Sequence, residues 1–150
     1  MSKRDEPLRP LGGASVRGAL GMEGPNMGQP VVHFEIIGRD PARLREFYGA
    51  LFGWEFDVGD AASSAVSEPG RYGFVNGEGG GPNGGVGGGE SHEPRVLFYV
   101  AVPDVEAALQ EAERLGGARV LGPERAPDRG LAVGRLSDPE GNVVGVAGPA

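Results

Sequence analysis

The chain has 150 residues and a formal net charge of -7, and its many glycines (29) and prolines (13) hold the hydrophobic content to 39%. This length suits one domain with a small core, and the lack of cysteine excludes disulfides and thiolate chemistry. The negative charge opposes binding to nucleic acid, and no apolar run reaches the roughly 20 residues of a membrane span, so we expect a cytoplasmic protein without either partner.

Residues 1–29 are dominated by glycine, proline and charged side chains and show no sustained apolar period. This composition predicts a flexible N-terminal tail. We expect residues 30–150 to form a single domain. Its halves, residues 30–90 and 95–148, are predicted to be two copies of one module.

The first module opens with an apolar run over residues 31–37 that predicts a strand. A helix is predicted next, because Asp40 is a good N-cap, Pro41 suits the first helical position and Gly53 provides a stop. Its apolar stripe consists of Leu44, Phe47, Tyr48 and Leu51. Short strands are predicted over 54–58 and 71–75.

Residues 77–89 are mostly glycine, and two interpretations compete. A flexible linker is the simpler one. The repeat, however, requires the last strand of the first module here. A strand over 84–88 would leave room for a ligand or for a close backbone, because it lacks side chains. We favour the strand.

The second module repeats the first at an offset of 64 residues, so that Asp40 aligns with Asp104 and Gly53 with Gly117. Its predicted elements are a strand over 96–102, a helix capped by Asp104, strands over 118–121 and 131–136, a tight turn over 138–142 and a strand over 143–146. Each module is therefore predicted to be βαβββ. Neither module can bury both of its faces alone.

The sequence resembles the vicinal oxygen chelate superfamily, which includes glyoxalases, bleomycin-resistance proteins and extradiol dioxygenases. The resemblance covers residues 30–148 and is carried by the strand led by His33, the helix end over 45–54 and the turn over 138–142. It implies an α+β fold in which two tandem βαβββ modules curl a mixed β-sheet into an open barrel around a cleft. One helix per module would pack outside, and a homodimer is expected. The resemblance implies no single reaction.

Enzymes of this superfamily usually hold a divalent metal with side chains from the first and last strand of each module. His33 matches the first of these positions, but Leu97, Gly87 and Gly145 stand at the other three and cannot coordinate a metal. Because a catalytic metal site needs about three protein ligands, we expect no metal cofactor. A divalent metal held by His33 and unrecognised donors is the alternative.

Strand alternation places His33 and Glu35 on one face, and the repeat places Tyr99 on the corresponding face, which the resemblance assigns to the cleft. These three are the candidate catalytic residues, since histidine and an enclosed glutamate can exchange protons near neutral pH. The candidate ligand-binding residues are His33, Glu35, Trp54, Tyr99 and Arg135. Structural roles stay open: His33 and Glu35 can bond each other, Trp54 can pack in the core, and alternation does not fix the face of Arg135.

The predicted function is binding of a small organic molecule, planar or cationic, in the cleft between the modules without the superfamily's metal. An acidic surface would attract cations. The first alternative is a divalent-metal-dependent lyase, isomerase or dioxygenase that uses His33 and Glu35. The second is a dimeric scaffold that binds no ligand. The sequence leaves open whether the protein is an enzyme.

Overall fold

The computed structural model describes residues 28–77, 79 and 81–150, so the predicted tail lies outside the described residues except for Gly28 and Gln29. The described strands are β1 (Val31–Gly38), β2 (Asp57–Gly59), β3 (Tyr72–Val75), β4 (Asn83–Gly88), β5 (Arg95–Ala101), β6 (Ala118–Ala126), β7 (Leu131–Ser137) and β8 (Val143–Pro149). The helices are α1 (Pro41–Phe52) and α2 (Val105–Arg114). This order confirms the two predicted βαβββ modules. No helix in the described part of the chain is long and apolar enough to cross a membrane.

All eight strands form one sheet in the order β2-β3-β4-β1-β5-β8-β7-β6. Strand β1 pairs parallel with β4 and antiparallel with β5, and β5 pairs parallel with β8. The sheet is therefore mixed, and it curls into an open half-barrel, as predicted.

The two modules meet between β1 and β5, where Phe34 lies opposite Phe98. These two residues are also 64 positions apart, which is the offset of the sequence repeat. The pseudo-two-fold axis that relates the modules therefore passes between them. On the other face of the same strands, His33 lies opposite Tyr99 and Glu35 lies opposite Leu97.

Both helices begin at the predicted caps. The Asp40 side chain accepts a hydrogen bond from the backbone N–H of Arg43 at 3.1 Å, and Asp104 accepts one from Ala107 at 3.0 Å. Gly53 ends α1 in the left-handed conformation, with φ at 73°. Local sequence signals therefore set where the helices lie along the chain.

The apolar stripe predicted for α1 is poorly covered, since Phe47 is 57% and Leu51 is 58% exposed. The reason lies in β4, the strand with most of the α1 contacts, where Val86 is the one large apolar side chain. In the second module, by contrast, Val105 and Leu109 of α2 are buried in a cluster with residues of β7 and β8. A second cluster fills the concave side of the sheet and includes Ile37, Val66, Tyr72, Leu97, Tyr99 and Val133.

Candidate ligand-binding cleft

A cleft of about 280 Å³ opens on the concave face of the sheet. Its apolar lining comes from both modules and includes Ala61, Ala62, Val66, Phe74, Leu131 and Val133. Its polar lining consists of His33, Glu35, Tyr72, Asn83, Tyr99 and Arg129. Because this volume lies just below the usual range for small-molecule sites, the cleft suits a small ligand.

Glu35 lies at the centre of this face and is only 2% exposed. Its Oε1 accepts a hydrogen bond from the Tyr72 hydroxyl at 2.8 Å. Its Oε2 accepts one from the Tyr99 hydroxyl at 2.8 Å and one from Nη2 of Arg135 at 2.7 Å. The four residues come from β1, β3, β5 and β7, so the network joins the two modules.

The network satisfies the charges that it buries. Arg135, itself 7% exposed, neutralises Glu35 and also donates from Nε to the Tyr99 oxygen at 3.2 Å. A buried ion pair needs such additional hydrogen bonds to offset the loss of water. Three donors occupy most of the lone-pair sites of the carboxylate, so Glu35 organises the site and is not a free base in it.

The same hydrogen bonds fix the proton of His33. The Glu35 carboxylate only accepts, so Tyr72 donates its proton to Glu35. The Tyr72 oxygen lies 2.9 Å from Nε2 of His33, which must therefore carry the proton of this contact. Nδ1 of a neutral His33 is then an acceptor, and no partner for it is found among the described residues.

Nδ1 of His33 is also not fully buried. Within the described ranges, the one buried side-chain nitrogen or oxygen without a partner belongs to His92. His33 is half-buried and lines the cleft. Nδ1 therefore keeps some exposure, on a side chain that lines the cleft.

Burial sets the protonation of the cluster. It lowers the pKa of His33, against the opposing charge of Glu35, so the imidazole is neutral at pH 7. Burial also raises the pKa values of Tyr72 and Tyr99, and the charge of Glu35 adds to both shifts. Burial alone would lower the pKa of Arg135, but Tyr99 and Glu35 outweigh it and raise that pKa.

Glycines make room for the two tyrosine rings. A Cβ atom at Gly145 would lie 2.3 Å from the Tyr99 ring, and one at Gly85 would lie 2.1 Å from the Tyr72 ring. Gly145 pairs with Tyr99 and Gly85 pairs with Glu35, so the two glycines are equivalent under the pseudo-two-fold axis. The rings fill the space that side chains of β4 and β8 would otherwise enter.

The residues present do not fit the metal site that the superfamily resemblance implies. The module-one equivalent of Gly145 is Gly85, not the predicted Gly87, because the offset between the modules falls to 60 residues at the last strands. Leu97 packs in the core at 4% exposure. No group of three or more His, Cys, Asp or Glu residues in the described ranges is placed to hold a metal ion. Metal-free binding itself stays a prediction.

The loop over residues 60–71 covers the cleft and is held from both modules. Arg129, in the short turn Pro127–Arg129, donates from Nη2 to the Ala61 carbonyl at 2.7 Å and from Nη1 to the Asp60 carbonyl at 3.2 Å. Nearer the other end of the loop, Oγ of Ser67 accepts from the Gly88 N–H at 2.9 Å. The loop therefore bridges the two ends of the open sheet.

The structure brings four of the predicted site residues together: His33, Glu35, Tyr99 and Arg135. Trp54 does not line this cleft. Its ring packs on Phe34, with centroids 5.1 Å apart, and Phe34 alternates with His33 on the opposite face of β1. Trp54 packs against aromatic rings, but it is half-buried and belongs to neither core cluster.

Sequence reasoning does not find Tyr72, Asn83 or Arg129, or the loop over the cleft. Residues 71–75 are predicted as a strand, but a short strand gives no register from which to place Tyr72. The available signal is the glycine pair Gly85 and Gly87, since two glycines in alternate strand positions leave space for a large neighbouring ring.

Comparison with known families gives one match over most of the chain. The family described as "Glyoxalase-like domain" matches residues 33–147. The chain belongs to the glyoxalase-like domain family. This agrees with the superfamily resemblance of the sequence. A search of curated proteins found no match to this glyoxalase-like domain.

Solved structures with the same fold include two methylmalonyl-CoA epimerases. A variant of the Streptomyces coelicolor enzyme, in complex with 2-nitronate-propionyl-CoA, has a TM-score of 0.58 and 16% identity over 81% of this chain and 95% of that one. The Mycobacterium tuberculosis enzyme has a TM-score of 0.59 and 14% identity over 80% and 87%. A glyoxalase/bleomycin resistance protein/dioxygenase superfamily member from Vibrio splendidus 12B01 has a TM-score of 0.53 and 16% identity over 81% and 99%. At these identities the likeness shows the fold alone.

Proposed function

We propose that this glyoxalase-like domain binds a small, mostly apolar organic molecule in the cleft between its modules, through side chains and without a metal ion. The observation that carries the proposal is the Glu35 network. Two tyrosine rings and an arginine fill the centre of the concave face and leave an apolar-walled cleft beside it. Apolar walls with a few fixed polar groups are typical of small-molecule sites.

The charges around the cleft favour a neutral ligand over the cation that the overall charge of -7 suggests. Glu35 is neutralised inside the protein by Arg135. The other charged lining residue is Arg129, which is a cation. A cationic ligand would therefore meet positive charge at the cleft and no free carboxylate among its lining residues.

Toluene is a suitable first probe because it is small, apolar and unable to bind a metal. We expect ligand-observed NMR to detect its binding to the domain in excess EDTA. Ala62→Trp would fill the cleft from the covering loop and abolish this binding. Val58→Trp is the matched control, since Val58 is 49% exposed on β2 and does not line the cleft.

Two outcomes would contradict the proposal. Toluene would bind the Ala62→Trp variant as well as the wild type, or it would bind only after a divalent metal is added. Unfolding curves of both variants show whether a loss of binding is a loss of the fold.

A further inference from the structure

We infer that the ligand carries a neutral hydroxyl group that donates a hydrogen bond to Nδ1 of His33, and that phenols are the class that fits this cleft best. The inference rests on the proposed function and adds to it the chemistry of the ligand. Its central observation is that Nδ1 of His33 has no hydrogen-bond partner among the described residues, while Nε2 of the same ring already bonds the Tyr72 oxygen.

The orientation of His33 is fixed by more than one contact. Its ring lies nearly parallel to the Tyr72 ring, at an interplanar angle of 12°, and makes a T-shaped contact with the Tyr99 ring, with centroids 5.8 Å apart. Turning the ring over would exchange Nδ1 for a carbon and break the hydrogen bond from Nε2 to Tyr72. The position of the acceptor is therefore built into the site before any ligand arrives.

A fixed acceptor selects a donor. A ligand that placed an ether or carbonyl oxygen against Nδ1 would bring two lone pairs together and would lose its own hydrogen bond to water. A ligand that placed a hydroxyl there would exchange a hydrogen bond to water for one to His33. The difference between a donor and an acceptor at this point is on the order of five-fold in affinity.

The surroundings narrow the class of donor. An ammonium group would face the positive Arg129 with no carboxylate free to pair with it. In the cleft wall the rings of Tyr72 and Phe74 meet edge to face, with their centroids 4.8 Å apart. Such aromatic surfaces favour a flat aromatic ligand. A hydroxyl on an aromatic ring meets both conditions.

The test compares three probes of similar size in EDTA: toluene, anisole and phenol. We expect the wild type to bind phenol several-fold more tightly than anisole. His33→Phe keeps an aromatic ring but no nitrogen, so it should lose the preference for phenol over anisole. Equal affinity of the wild type for phenol and anisole, with toluene bound, would overturn the inference and leave the proposed function intact. If the wild type bound none of the three probes, the proposed function would be contradicted as well.

The tautomer of His33 gives a second measurement that needs no ligand. The chain has two histidines, so a His92→Gln variant isolates the ¹⁵N signals of His33. We expect a neutral ring protonated at Nε2, and Tyr72→Phe should mix the tautomers because it removes the acceptor. A wild-type ring protonated at Nδ1 would contradict the inference, since it would offer a donor to the cleft.

Discussion

Tyr72 and Tyr99 each use their hydroxyl group in two directions. Each donates to a different oxygen of Glu35, and each accepts from a basic side chain, His33 for Tyr72 and Arg135 for Tyr99. Each of these two tyrosines is only 3% exposed. Burial away from water raises the pKa values of both tyrosines, and the negative charge of Glu35 beside them adds to the rise.

These raised pKa values predict how stability depends on alkaline pH. In the unfolded chain tyrosine ionises near pH 10, whereas in the folded protein Tyr72 and Tyr99 keep their protons to higher pH. The stability that the two protonated tyrosines contribute is therefore fully present below about pH 10. As the pH rises above this value, the free energy of unfolding falls by about 1.4 kcal/mol per pH unit for each tyrosine. Urea unfolding from pH 9 to 11 measures this slope.

Tyr99→Phe supplies the control for the slope. It destabilises the protein at neutral pH, because the buried Glu35 and Arg135 lose a partner, but its stability should fall less steeply above pH 10. Tyrosinate absorbance of the folded wild type provides a direct check. Ionisation of Tyr99 near pH 10 without unfolding would contradict the prediction.

Among the elements, β4 and β8 contribute to the site by lacking side chains. Glycine inside a strand is usually unfavourable relative to alanine. Gly145 and Gly85 are retained here because the Tyr99 and Tyr72 rings lie where their Cβ atoms would be. These glycines weaken their strands, but without them the two tyrosine rings could not bring their hydroxyl groups to Glu35.

This packing predicts that Gly145→Ala destabilises the protein by about 1–3 kcal/mol, the usual cost of overpacking a filled core. Gly59→Ala is the matched control, since a Cβ at this β2 position would meet nothing within 4 Å. On a Tyr99→Ala background, Gly145→Ala should cost much less, because the ring that it strikes is gone. Equal costs on both backgrounds in urea unfolding would rule out the steric coupling.

The sequence predicts the elements well because their signals are local. The caps Asp40 and Asp104 and the stop at Gly53 lie beside the helices that they bound, and the repeat supplies the strand over 84–88 that composition alone would assign to a linker. The burial of α1 is not predicted, because the apolar period shows which face is apolar but not how little β4 offers to cover it.

The site is predicted less completely for a related reason. His33, Glu35 and Tyr99 lie on long central strands whose alternation is reliable, and the 64-residue repeat makes Tyr99 the equivalent of Glu35. Tyr72 and Arg135 depend on the register of β3 and β7 across the sheet, which turn lengths and bulges set. Arg129 depends on how far the sheet curls. That is a property of the whole molecule, and no short segment encodes it.

At the scale of the whole molecule, the curled sheet of the described residues has two edge strands, β2 and β6, which do not pair with each other. Arg129 joins these ends by donating to two carbonyls of the loop over residues 60–71, which also forms part of the cleft wall. The loop is thus shared between the modules. Its mobility should control how a ligand enters and leaves.

We therefore predict that Arg129→Ala increases hydrogen exchange at the loop amides of Val66 and Ser67, which now bond the Ser63 carbonyl, by on the order of ten-fold. Toluene should dissociate faster, while the melting temperature changes little because Arg129 is exposed. Arg125→Ala, which removes another exposed arginine close to the same turn, is the matched control. Unchanged exchange in Arg129→Ala would contradict this prediction, and the loop would then be held by its other contacts, among them the hydrogen bonds of Ser67 and Glu68 to Gly88 of β4.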